Sequence, residues 1–167
     1  MSKPILIAFA TKYGSTEEVA AEIAAVLVER GAEVELRLAS DLRRLDGYGA
    51  VILGAPVYMG RWHRDARRFL GRHAHALGLL PTAVFALGPV HEDETEFAAA
   101  ETRVRSVLAK TPELAPVDLA IFGGRIVPDE LSFPFSRMPA ADIRDWGAIR
   151  RWAVRVADSL VPVAVAA

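Results

Sequence analysis

The sequence predicts a doubly wound α/β domain: an open parallel sheet of five strands with helices on both faces. Three observations carry that expectation. Short apolar segments alternate with amphipathic ones along the chain, the order of β-α-β crossover units. Three of those segments, Pro4 to Ala10, Ala50 to Gly54 and Thr82 to Leu87, are apolar almost throughout, as strands covered on both faces must be. Each runs into a turn carrying glycine. The 167 residues hold no repeat, linker or low-complexity tract, so one domain over 1–167 is expected.

In order, Pro4 to Ala10 is the first strand. The helix after it spans Ser15 to Arg30, with Glu17 and Glu18 in its first turn and Gly31 as the residue that ends it. Glu33 to Leu38 alternates polar and apolar residues and reads as a half-exposed edge strand. Turn chemistry at Asp46 to Gly49 leads into the strand Ala50 to Gly54, and Ala55 to Trp62 reads as a loop. A helix from His63 to Leu77, the strand Thr82 to Leu87, a helix from Glu94 to Leu108 and the strand Val117 to Phe122 follow. Val127 to Pro139 is irregular. Asp142 is the expected cap of a last helix reaching Leu160, with Trp146, Ile149, Trp152, Ala153 and Val156 on its buried face.

Composition excludes several classes of function. A net charge of −1 gives no field for nucleic acid or an anionic membrane. The absence of cysteine removes disulfides, thiolate catalysis and cluster ligation. No apolar run reaches about 18 residues, so no membrane-spanning helix is expected. The first strand begins almost at once, and a cytoplasmic protein is expected. His63, His73, His75 and His91 form no recognisable metal site and read as surface residues; no metal is expected.

The first turn concentrates the chemistry. Thr11, Lys12, Tyr13, Gly14, Ser15 and Thr16 join an apolar strand to a helix. A helix N-terminus offers unpaired N–H groups and the positive end of a dipole to an anion, and the hydroxyls add donors. One hydroxyl suffices for an ordinary helix cap; several crowded together point to a phosphate cradle. In such sheets a ligand sits beyond the carboxyl ends of the strands, where this turn, Ala55 to Trp62 and Gly88-Pro89 would converge. A G-x-G-x-x-G turn and a Gly-Lys-Ser/Thr ending are both missing, which leaves a crevice for one phosphate and a flat ring.

At these residues the chain resembles the flavodoxin family. Thr11, Gly14, Ser15 and Thr16 match its phosphate loop, with Tyr13 in place of a small hydroxyl residue. Within the family it is similar to the flavodoxin-like protoporphyrinogen oxidases that use quinone: Gly54-Ala55, Gly60, Trp62, His63, Phe69 and Asp145-Trp146 carry that likeness. Those enzymes have a longer basic and aromatic insertion before the last helix, where this chain has only Val127 to Pro139.

The resemblance implies the strand order 2-1-3-4-5 and flavin mononucleotide (FMN) as cofactor. It implies that Thr11 to Thr16 hold the phosphate. Pro56, Val57, Tyr58, Met59, Gly60 and Trp62 would border the ring, Tyr58 and Trp62 by stacking, Met59 by its thioether, and Gly60 through its peptide. Leu87, Gly88, Pro89 and Val90 would meet the pyrimidine edge through backbone groups. Arg61, Arg64 and Arg68, with Arg67 and Arg72, read either as a solvated helix face or as a docking surface for an anionic substrate or acidic partner. The leading expectation is an FMN-dependent oxidoreductase acting on a small redox substrate or quinone. An electron carrier between redox proteins and an FMN-less binding module are the alternatives.

Overall fold

The computed structural model describes residues 3–160. Five parallel strands, β1 (Ile5–Phe9), β2 (Val34–Leu38), β3 (Ala50–Tyr58), β5 (Thr82–Leu87) and β6 (Asp118–Phe122), lie in the order β2-β1-β3-β5-β6. That is the expected 2-1-3-4-5 arrangement of parallel strands. The short β4 (Arg61–Trp62) pairs antiparallel with the end of β3.

Alternation along the central strands builds two cores. Ile5, Ile7 and Phe9, Ala50 and Ile52, and Ala83, Phe85 and Leu87 face one side. There they meet α1 (Ser15–Glu29) through Val19, Ile23 and Val26, and α4 (Trp146–Leu160) through Ile149, Trp152 and Val156. Leu6 and Ala8, Val51 and Leu53, and Val84 and Ala86 face the other side. They meet α2 (Arg64–Gly78) through Phe69 and Leu70, and α3 (Glu94–Leu108) through Val104. A strand buried on both faces leaves no polar positions to mark a period, hence the continuous apolar runs. The strand β2, paired only to β1, is one edge and is largely exposed.

Gly54 is where β3 comes closest to a side chain of its neighbouring strand β5. A Cβ there would lie 2.0 Å from Cζ of Phe85, its register partner on β5. The Phe85 ring is held in turn by Phe122 and Trp152, with centroids 6.1 and 6.0 Å away.

Three expectations are corrected. Ala55 to Trp62 is not a loop: β3 continues to Tyr58 and turns back into β4, with Met59 and Gly60 at φ 52° and 70°. Two successive positive φ values make the tight turn whose twist matches a hairpin. Asp142 does not cap the last helix. It pairs with Arg125 in the two-stranded sheet of β7 (Arg125–Ile126) and β8 (Ala141–Asp142), and the Asp145 carboxylate accepts the Ala148 N–H at 2.9 Å instead. Trp146, expected on the buried face, is 37% exposed, its ring 4.9 Å from the Arg144 guanidinium. The helix starts later than the pattern suggested, so its first residue lies outside the packed stripe.

Candidate functional site

A cavity of about 260 Å³ opens at the carboxyl ends of β1, β3 and β5. Lys12, Tyr13 and Ser15 border it from the first turn; Pro56, Val57, Tyr58 and Met59 from the hairpin; and Leu87, Gly88 and Val90 from the end of β5. The three corners that the sequence set beyond strand ends therefore surround one space.

The first turn is shaped by its own hydroxyl. Thr11 Oγ1 accepts the Gly14 N–H at 2.8 Å, and Gly14, at φ 88°, adopts the left-handed conformation that glycine tolerates. No side chain caps α1, whose helical ladder begins with Glu18 N–H donating to the Gly14 carbonyl at 3.2 Å. The first-turn donors thus precede the ladder. Thr16 is fully buried, and its Oγ1 has no hydrogen-bond partner among the described residues. A buried hydroxyl without a partner is uncommon and costs stability. Lys12 turns across the opening, its Nζ 4.0 Å from the Tyr58 ring centroid.

At the end of β5 some backbone groups are already committed. The Val90 N–H donates to Glu96 at 2.7 Å, and the Pro89 carbonyl accepts the Gly124 N–H at 2.7 Å. Gly88 leaves little room for a side chain, since a Cβ would meet Val57 Cβ at 3.1 Å.

Several anticipated residues stand elsewhere. Trp62 does not face the cavity: it is 1% exposed, and its Nε1 donates to the Ala55 carbonyl at 3.0 Å, bracing the hairpin from within the core. A buried indole N–H usually finds a partner, and here the Ala55 carbonyl of β3 supplies it. Gly60 is exposed at the hairpin tip. Arg61 and Arg64 are exposed, and Arg67 turns inward to donate to the Trp62 carbonyl at 3.1 Å. Arg68 and Arg72 border a separate hollow of about 120 Å³ with Ser40 and His73. The arginines therefore diverge.

Two histidines read as surface residues are not. His73 is 6% exposed, in a locally non-helical stretch of α2, with Nε2 3.3 Å from the Leu42 carbonyl. His63 caps α2, its Nδ1 accepting the Asp65 N–H at 3.0 Å. Burial holds both imidazoles below the usual histidine range.

The sequence reading missed one wall of the cavity. Gly124 to Val127, Glu130, Leu131, Phe135 and Met138 line it. Gly124 precedes β7, Arg125 and Ile126 form it, and the others lie in the stretch between β7 and β8, which holds two short 3₁₀ turns, Pro128–Glu130 and Phe135–Arg137. Phe135 meets Tyr58 edge-on, centroids 6.5 Å apart. Apolar and aromatic residues in a stretch without period were the available signal, since such residues need cover that no helix or strand of their own supplies.

A family model described as a flavodoxin domain matches residues 6–138. The chain belongs to the flavodoxin family. Oxidised flavodoxin 2 from Bacillus cereus is 25% identical, with a TM-score of 0.61 over 93% of this chain and 99% of that one. Flavodoxin 1 from the same organism shares the fold, at TM-score 0.64 and 19% identity over 94% of this chain and 99% of that one. Among curated proteins, protoporphyrinogen IX dehydrogenase [quinone] from Escherichia coli strain K12 is 29% identical over 90 residues, 51% of this chain and 48% of that protein. The chain thus spans about half the length of the curated relatives it matches. Among the described residues no helix is long and apolar enough to cross a membrane.

This flavodoxin-family chain ties its missed wall to the first turn with charge. Arg125 and Arg144, at the two ends of that segment, both reach Glu18 in the first turn of α1, at 3.2 and 3.4 Å.

Proposed function

We propose that the chain is an FMN-binding oxidoreductase of the flavodoxin type. The observation that carries the reading is the orphaned Thr16 hydroxyl, buried in the first turn of α1, next in sequence to Ser15, which lines the cavity built from three strand ends. A phosphate at that helix N-terminus supplies the acceptor that the hydroxyl lacks. The rest of the lining fits the remainder of a flavin mononucleotide. Val57, Leu87, Ile126 and Leu131 are apolar, Tyr58 and Phe135 offer aromatic surfaces, and side-chain-free Gly88 permits close approach of a ring edge to backbone.

In this reading Thr11 shapes the turn, and Ser15, Thr16 and the first-turn N–H groups hold the phosphate. Tyr58 and Met59 cover one side of the ring and the Val127 to Met138 stretch the other, excluding water. When bound, the flavin supplies hydride and single-electron chemistry. The part of the chain that matches the Escherichia coli enzyme makes a quinone the acceptor to test first and protoporphyrinogen the donor to test first. Electron exchange with a protein partner is the second reading, favoured by Met59, which is 68% exposed at the rim.

Titration of the purified protein with FMN, followed by flavin fluorescence and visible absorbance, is the primary test. Saturable binding at micromolar concentration is expected, and its absence ends both redox readings. Stopped-flow oxidation of the reduced holoprotein by quinones then separates enzyme from carrier. Rapid reaction with a protein partner but with no quinone selects the carrier.

A further inference from the structure

The first turn is followed at once by Glu17 and Glu18. Acids there suit a helix N-terminus, but they repel a dianion held at the same place. The structure sets two arginines from the other end of the chain against Glu18, and the two differ in how firmly they are bound.

Arg144 is fully engaged. Its side chain is 4% exposed; Nε and Nη2 bind the two Asp142 oxygens at 2.9 and 2.8 Å, and Nη1 reaches the Ser15 carbonyl and Glu18, each at 3.4 Å. A trans peptide points its N–H opposite to its C=O. By holding the Ser15 carbonyl, Arg144 fixes the direction of the Thr16 N–H. The Asp142 partnership holds this guanidinium in place: it raises the Arg144 pKa and lowers that of Asp142.

Arg125 is loosely held. It lines the cavity, and its side chain is 22% exposed. Nη2 lies 3.4 Å from the Tyr13 carbonyl, and Nη1 lies 3.2 Å from a Glu18 carboxylate that is itself 49% exposed. A guanidinium has further N–H donors in a flat fork, and an ion pair this exposed is cheap to break. The turn's own cation, Lys12, lies over Tyr58.

We infer that Arg125 is a further anion-binding residue of this site: its guanidinium exchanges Glu18 for the phosphate of the mononucleotide held by the first turn. The inference rests on the FMN reading above. Glu18 is then the internal competitor that holds the guanidinium beside the turn until a phosphate arrives. A planar fork suits a phosphate better than an ammonium does, and Arg144 keeps the carbonyl side of the turn fixed throughout.

The test compares FMN with riboflavin, which lacks the phosphate, by fluorescence titration of the full chain. Arg125→Gln is expected to weaken FMN about tenfold, the scale of one charged hydrogen bond, with riboflavin unchanged. Glu18→Gln is expected to tighten FMN severalfold, and that gain is expected to shrink, to the part due to relieved repulsion alone, when Arg125→Gln is added. Arg125→Lys is expected to recover part of the loss. FMN binding to Arg125→Gln at wild-type affinity overturns the proposal. So does equal weakening of both flavins, which marks a packing role, or a Glu18→Gln gain that is undiminished without Arg125. A wild-type chain that binds neither flavin removes the FMN reading along with it, an outcome distinct from the others. Should Arg125→Gln fail to fold, the Glu18→Gln arm with the Arg125→Lys background decides.

Discussion

Thr16→Val separates the cost of a polar atom to the fold from its value to a ligand. The Thr16 Oγ1 atom is buried without a partner, at a residue that is 0% exposed. An unsatisfied buried polar group costs about 1–3 kcal/mol. Valine has the same branched shape and similar restriction at χ1, so the packing is retained and the cost is removed. The apoprotein is expected to gain about 1–2 kcal/mol, a rise of roughly 2–8 °C in melting temperature for a chain of this size. FMN binding should move the opposite way, because a hydrogen bond to a charged group is worth about 1.5–3 kcal/mol, or roughly 10- to 150-fold in affinity. Differential scanning calorimetry of the apoprotein and FMN fluorescence titration supply the two readings. A less stable Thr16→Val apoprotein, or one that binds FMN as tightly as the wild type, refutes the assignment of this hydroxyl to the phosphate.

Gly54→Ala tests the close approach of β3 to the Phe85 ring, where the new Cβ would sit 2.0 Å from Cζ. Phe122 and Trp152 bar the ring's retreat, so a loss of about 3 kcal/mol is expected, read from urea midpoints, with partial recovery on adding Phe85→Leu; an unchanged midpoint would contradict the packing. Met59→Asn places Asn-Gly in the hairpin, where Met59 now holds φ 52°. Because asparagine tolerates that region better, a gain of about 0.5–1 kcal/mol in thermal stability is expected. His73 supplies a pH dependence: burial is the largest cause lowering its pKa and Arg72 acts in the same direction, against the Leu42 carbonyl. The unfolded chain takes up the proton first as pH falls below about 6.5, so the contribution is complete above that value and is lost toward the lower folded pKa. His73→Gln should shrink the drop in urea midpoint between about pH 7.5 and 5.5, while His63, lowered in the same direction by its own burial, keeps part of it.

The two halves of the candidate site differ in how far sequence alone located them. The first turn was legible because strand, hydroxyl cluster and helix are contiguous, so local chemistry fixes what stands beside what. The hairpin was half legible. Gly60 announced a turn, but β-pairing of Val57 with Trp62 drew Trp62 under β3, while its neighbour Tyr58 stayed on the cavity. A one-residue step along a strand changes the face a side chain occupies, and the aromatic residues alone did not say which was which.

The apolar runs, their alternation with helices and the glycines at strand ends determined the α/β class, the strand order through family resemblance, and the side of the sheet on which the cavity lies. Those are local or pattern-level properties, set by backbone sterics and by which residues must leave water. Only the tertiary structure decided that the stretch after Gly124 walls the cavity, that Arg125 and Arg144 meet Glu18, and that the Thr16 hydroxyl has no partner among the described residues. Residues more than a hundred positions apart come together there because the sheet order brings α1 against α4, and no periodicity in the chain encodes a contact at that separation.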